Sequence, residues 1–157
     1  MLKVKFEDPE YGFIGLKINC GEEELYILGS YCPRNSLADL VETLIGLLQL
    51  PMDCVVIWNE EPIEYEMRFS RVGQLITLTI DCYPDSTRSI YNYDRVLEIS
   101  GSYEMTCIPF WRALRDLQGR FSYQDLTKRW LSPFPSLQLD QLSVTINSRK
   151  SSNFVEN

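Results

Sequence analysis

The chain contains no histidine among its 157 residues. It therefore lacks the side chain best matched to proton transfer near neutral pH, any Ser/His/Asp or Cys/His nucleophile pair, and the commonest zinc ligand. No Gly-rich phosphate loop of the GxGxxG or GxxxxGK[ST] kind occurs, which leaves a nucleotide without a visible cradle. The longest nearly uncharged apolar stretch, residues 40 to 52, is interrupted by Glu42, Thr43, Gln49 and Pro51. It falls short of the roughly 20 apolar residues that a membrane span needs. The N-terminus shows neither an apolar h-region nor a small-residue cleavage site, so a cytoplasmic location is the expectation. Five cysteines (Cys20, Cys32, Cys54, Cys82 and Cys107) form no CxxC pair, and an odd, scattered set argues against a disulfide framework or a zinc site. On these grounds no catalytic residue, no metal ligand and no cofactor is assigned.

Hydrophobic residues make up 45% of the chain and charged residues 24%, the mix of a folded globular protein rather than a disordered one. The formal charge of −7 is unevenly spread: residues 1 to 66 carry 13 acidic and 4 basic side chains, and residues 67 to 157 carry 9 and 11. Such an acidic field repels phosphate backbones and favours basic protein partners, so neither nucleic acid nor membrane is an expected partner. Solubility alone is the plainer account of the same charge.

No repeat or linker divides the chain, and one domain over residues 1 to 147 with a polar tail over 148 to 157 is the simplest organisation. Phe13 to Cys20 and Glu24 to Tyr31 are β-prone runs joined by Gly21-Glu22-Glu23, and Leu2 to Phe6 suits an edge strand. Leu37, Leu40, Val41, Leu44, Ile45 and Leu48 recur at helical spacing after a capping Asn35 or Ser36, with Pro51 as the stop. Cys54 to Trp58 reads as a buried strand. Ile63 to Ser70 and Ile76 to Asp81 alternate as two half-wet strands, and Arg95 to Ser100 as a weaker one. Helices are expected up to Gln118, with Gly119 as a left-handed cap, over Ser122 to Leu131, and over Leu137 to Leu142. The fold class is therefore α+β: a twisted, mainly antiparallel sheet of about five to six strands with helices on one face, in the order β-β-α-β-β-β-β-α-α.

Carboxylates remain as acid and base without histidine. The candidates are Glu60, Glu61, Glu64, Glu66 and Asp81, and a solvated acidic rim is the plainer reading of all five. Cys107, near a helix start, is the one plausible thiol nucleophile, and a structural buried thiol is its plainer reading. Aromatic residues are numerous. Trp58, Phe69, Phe110 and Trp111 suit core filling, whereas the tyrosines of the loop from Tyr83 to Tyr93 suit contact with a partner. The binding candidates are Trp58, Glu60, Glu61, Tyr65, Asp81, Tyr83, Tyr91 and Tyr93.

One order of landmarks carries a resemblance: Asp39-Leu40 and Leu47-Leu48 in a helix, then Trp58-Asn59-Glu60-Glu61-Pro62, Tyr65 to Arg71, Gly73, and a late Trp130 before Pro133-Phe134-Pro135. Over residues 36 to 135 the chain resembles a set of small bacterial proteins of unknown function with a Trp-x-x-Glu-Pro corner. The resemblance implies no catalytic assignment. In size, class and charge the chain also looks like the immunity proteins that neutralise bacterial toxins, an analogy only. The leading expectation is a non-enzymatic protein-binding module, immunity-protein-like or regulatory, with an acidic, tyrosine-bearing face. A small carboxylate-dependent enzyme or ligand-binding protein is the alternative, and homo-oligomer formation through a strand edge is compatible with either.

Overall fold

The computed structural model describes residues 1–155, with side chains up to Lys150. Its seven strands are β1 (Leu2–Phe6), β2 (Phe13–Cys20), β3 (Glu23–Ser30), β4 (Asp53–Asn59), β5 (Glu64–Val72), β6 (Leu75–Tyr83) and β7 (Asp94–Gly101). They form one antiparallel sheet in chain order, so every strand neighbours the strands that precede and follow it. Helix α1 (Ser36–Gly46) interrupts the sheet between β3 and β4, and α2 (Tyr103–Thr106), α3 (Ile108–Arg120), α4 (Tyr123–Trp130) and α5 (Ser136–Val155) follow β7. The α+β class holds, with seven strands where five to six were expected. The marginal run at Leu2 to Phe6 is a full strand, paired with β2 from Leu2↔Cys20 to Phe6↔Leu16.

Two tight hairpins set the register. Gly21 and Gly73, both at φ 62, open two-residue turns that close the pairs Cys20↔Glu23 and Val72↔Leu75. A left-handed first turn residue matches the twist of the flanking strands, and only glycine reaches it without strain.

The period-2 pattern of each strand then places one apolar row on the helix side of the sheet, called here the inner face. Leu16, Ile18, Ile27, Val56, Met67, Phe69, Leu78 and Ile80 are buried there in one cluster with Leu40, Leu44, Phe110, Leu114 and Leu117 of the helices. Phe69 and Phe110 meet edge to face, with centroids 5.6 Å apart, a favoured aromatic geometry. Trp58 lies over Gly29, where an added Cβ would come within 2.6 Å of the indole ring. That glycine makes room for one of the largest side chains of the core.

Between β3 and β4 only Ser30 and Asn59 are paired. The Ile57 carbonyl is satisfied instead by the Ser36 hydroxyl, which donates to it at 2.5 Å from the first residue of α1. The preceding residue, Asn35, ties three segments together. Its Oδ1 accepts from the Ala38 N–H at 3.2 Å and from Trp130 Nε1 at 2.9 Å, and its Nδ2 donates to the Pro133 carbonyl at 2.7 Å. An N-cap thus also fixes the end of α4.

Two helix ends depart from expectation. Gly119 sits inside α3, which runs on to Arg120 and leaves through an extended Phe121, while the left-handed residue that ends a helix is Leu131 at φ 61. Helix α5 is longer than Leu137 to Leu142. It buries Leu139, Leu142 and Ile146, and the Ser143 hydroxyl accepts from Trp111 Nε1 at 3.0 Å. The polar segment set apart as a tail continues this helix to Val155, and residues 156 and 157 lie outside the described residues. Among the described residues no helix is long and apolar enough to cross a membrane.

Candidate functional site

The face of the sheet away from the helices, here the outer face, carries the polar row of β5 and β6. Its register sets Glu64 opposite Tyr83, Glu66 opposite Asp81 and Arg68 opposite Thr79. Two carboxylates directly across from each other repel. They are held by guanidinium groups arriving from three directions. Arg95 of β7 grips Asp81 with Nε at 2.9 Å and Nη2 at 3.2 Å, a two-pronged geometry. Arg88, from the loop after β6, donates from Nε to Glu66 at 2.9 Å and from Nη1 to both oxygens of Glu64 at 3.2 and 3.3 Å. Arg68 bonds Asp53 at 2.9 Å and reaches Glu66 at 3.9 Å.

The reading of these acids as a solvated rim is corrected for two of them: Glu64 is 4% exposed and Asp81 8%. Alternation along a strand reports which face a side chain takes, and burial of that face depends on what folds over it. Here it is residues 84 to 93, which turn back across the sheet. Asp85 starts the turn by accepting from the Thr87 N–H at 3.0 Å and its hydroxyl at 2.6 Å. Arg88 takes a left-handed φ of 45. At the far end the Tyr93 ring rests on Tyr83 with centroids 5.4 Å apart, and the Tyr83 hydroxyl donates to Glu66 at 3.3 Å. Burial, followed by the charges of Glu66 and Asp81, raises the Tyr83 hydroxyl above its usual pKa, so it remains a donor at neutral pH. Between these anchors Ile90 and Tyr91 stand in solvent, 72% and 91% exposed.

Of the residues singled out from sequence, Asp81, Tyr83, Tyr91 and Tyr93 belong to this face and its loop, and the other four do not. Trp58 is wholly buried on the inner face, and among the described residues its indole N–H has no acceptor. Tyr65 is 8% exposed beside Cys82 and Glu60, and burial pushes its hydroxyl far above the ordinary range. Glu60 follows it to that side of the sheet. Glu61 is exposed at the corner, with φ 52 and its N–H bonded to Asn59 Oδ1 at 3.1 Å. The acids named together as a carboxylate site are therefore divided by the sheet, Glu60 near Tyr65 on one side and Asp81 under Arg95 on the other. Cys107 is fully buried, which pushes its thiol up to about 12 and leaves it protonated and unreactive at neutral pH.

Arg68, Arg88 and Arg95, without which the acidic row would not close, are not among the residues singled out from sequence. Their signal was present: each lies on, or beside, a strand whose outward positions are acidic. Among the described residues no group of three or more Cys, Asp and Glu is arranged to hold a metal ion. Comparison with protein-family models, with curated proteins and with solved structures finds no match to the chain.

Proposed function

We propose that this protein is a binding module that recognises another protein through the outer face of β5 to β7 and the loop over residues 84 to 93. The observation that carries the reading is the presentation of Ile90 and Tyr91. Two large apolar side chains stand 72% and 91% exposed at the tip of a loop whose flanks are tied down by the Arg88 ion pairs and the Tyr83 and Tyr93 ring contact. An exposed aromatic on a pre-ordered loop loses little entropy on binding, the property of a contact that dominates an interface. Acidic groups at the rim, among them Asp85, Asp94 and Glu98, favour a partner with basic residues around an apolar recess. They would act mainly on the rate of encounter and on its salt dependence.

The test is capture from the host in which the chain is made, with wild type and Tyr91→Ala as paired baits. The expected result is a partner retained by wild type, lost by Tyr91→Ala, and released progressively as salt is raised. Equal capture by both baits would refute the assignment of this loop.

A further inference from the structure

Beneath the same loop, where β3 and β4 part, lies a small polar cavity of about 170 Å³. Its walls come from the segment between β3 and α1 (Cys32, Arg34), from Ile57 and Asn59 of β4, from Glu64 of β5 and from Arg88. The volume falls below the roughly 300 Å³ at which pockets for drug-sized ligands begin, so the cavity suits a small ligand.

Two groups on its wall have unused capacity. Glu64 is 4% exposed, yet among the described residues its carboxylate receives hydrogen bonds from one nitrogen only, Arg88 Nη1. An ionised carboxylate has about four lone-pair sites, so each oxygen of Glu64, bonded once by the same nitrogen, keeps spare acceptor capacity. The Arg88 charge is also shared with Glu66, which Arg68 reaches at 3.9 Å. Arg34, which also lines the cavity, is exposed, and among the described residues no ion pair or side-chain hydrogen bond engages its guanidinium. The cavity therefore sets a buried acid with spare acceptor capacity and an unengaged cation on the lining of one small space, together with the apolar Ile57 and Pro33.

We infer that this cavity binds a small zwitterionic α-amino acid, its ammonium group on Glu64 and its carboxylate on Arg34. An ammonium supplies the donors that Glu64 lacks, and a carboxylate matches the guanidinium fork.

Backbone amide NMR titration of the full chain tests this with four probes: glycine, serine, glycinamide, which lacks the carboxylate, and acetate, which lacks the ammonium. The expected result is saturable, millimolar binding of glycine and serine that shifts the Cys32, Asn59 and Ser86 amides, with glycinamide and acetate about tenfold weaker or worse. Glu64→Gln should weaken glycine about tenfold, and Arg34→Ala should remove the advantage of glycine over glycinamide. Arg34 is exposed and makes no ion pair or side-chain hydrogen bond among the described residues, so its removal should cost little stability and keeps the test interpretable even if Glu64→Gln unfolds the chain. Absence of shifts at those amides overturns the proposal, as does acetate binding as tightly as glycine. Tyr91→Ala should leave glycine binding unchanged, which separates failure of this site from failure of the protein-binding loop.

Discussion

The inner and outer faces of the sheet are built from alternate residues of the same strands, yet they are held by different physics. On the inner face Phe69, Met67, Leu78 and Ile80 are sealed against the helices, and stability there scales with apolar area removed from water. On the outer face Glu64, Glu66 and Asp81 are drawn together by register and would repel, so order depends on Arg88, Arg95 and Arg68 arriving in the right places. The first arrangement tolerates change in proportion to the volume lost. The second depends on pairing, because a charge left without its partner costs more than the pair contributes.

Several substitutions would break or sharpen this contrast. Phe69→Ala should have the largest effect, about 3 to 5 kcal/mol in urea unfolding, since it removes a fully buried ring packed on Phe110. A loss below about 1 kcal/mol would mean that the inner face is loosely packed. Arg88→Ala comes next at about 2 kcal/mol, reduced from the value for a wholly buried pair because the arginine is 29% exposed. If charge pairing is the cause, adding Glu64→Gln to Arg88→Ala should recover part of that loss. A double variant no better than the single would show that loop packing, rather than charge, holds the outer face.

Asn35→Ala tests the junction between the layers. It removes the α1 cap and the bonds to Trp130 and Pro133, for an expected cost of about 1 to 2 kcal/mol. Hydrogen exchange should show faster opening at the start of α1 and the end of α4 together, whereas a change confined to α1 would reduce Asn35 to an ordinary cap. The smallest effect on stability is expected for Tyr91→Ala, within about 0.5 kcal/mol. A larger loss in thermal unfolding would place Tyr91 among the residues that hold the loop, leaving it less free to contact a partner.

Much of the inner face was legible along the chain. Leu37, Leu40, Val41 and Leu44 mark α1 by helical spacing, and the alternation from Tyr65 to Phe69 marks β5, because the period of a buried stripe is a local property. The candidate site was legible only in pieces. Asp81, Tyr83 and Tyr93 were picked out by residue type, but the partners that decide their state, Arg95 and Arg88, lie 14 and 22 or more positions from the acids they hold. Trp58 and Tyr65 were drawn into the same list by proximity in sequence and fall on the other side of the sheet.

Residue order alone therefore settled the α+β class, the Gly21 hairpin, a cap at Asn35 or Ser36 and the absence of histidine, since each rests on spacing, backbone conformation or composition. The tertiary structure decided that Glu64 and Asp81 are buried, that loop 84 to 93 folds back to hold Ile90 and Tyr91 in solvent, and that Glu64 shares a small cavity with Arg34. Whether a charge is solvated or enclosed depends on chain segments brought over it from elsewhere, and a strand pattern does not record them.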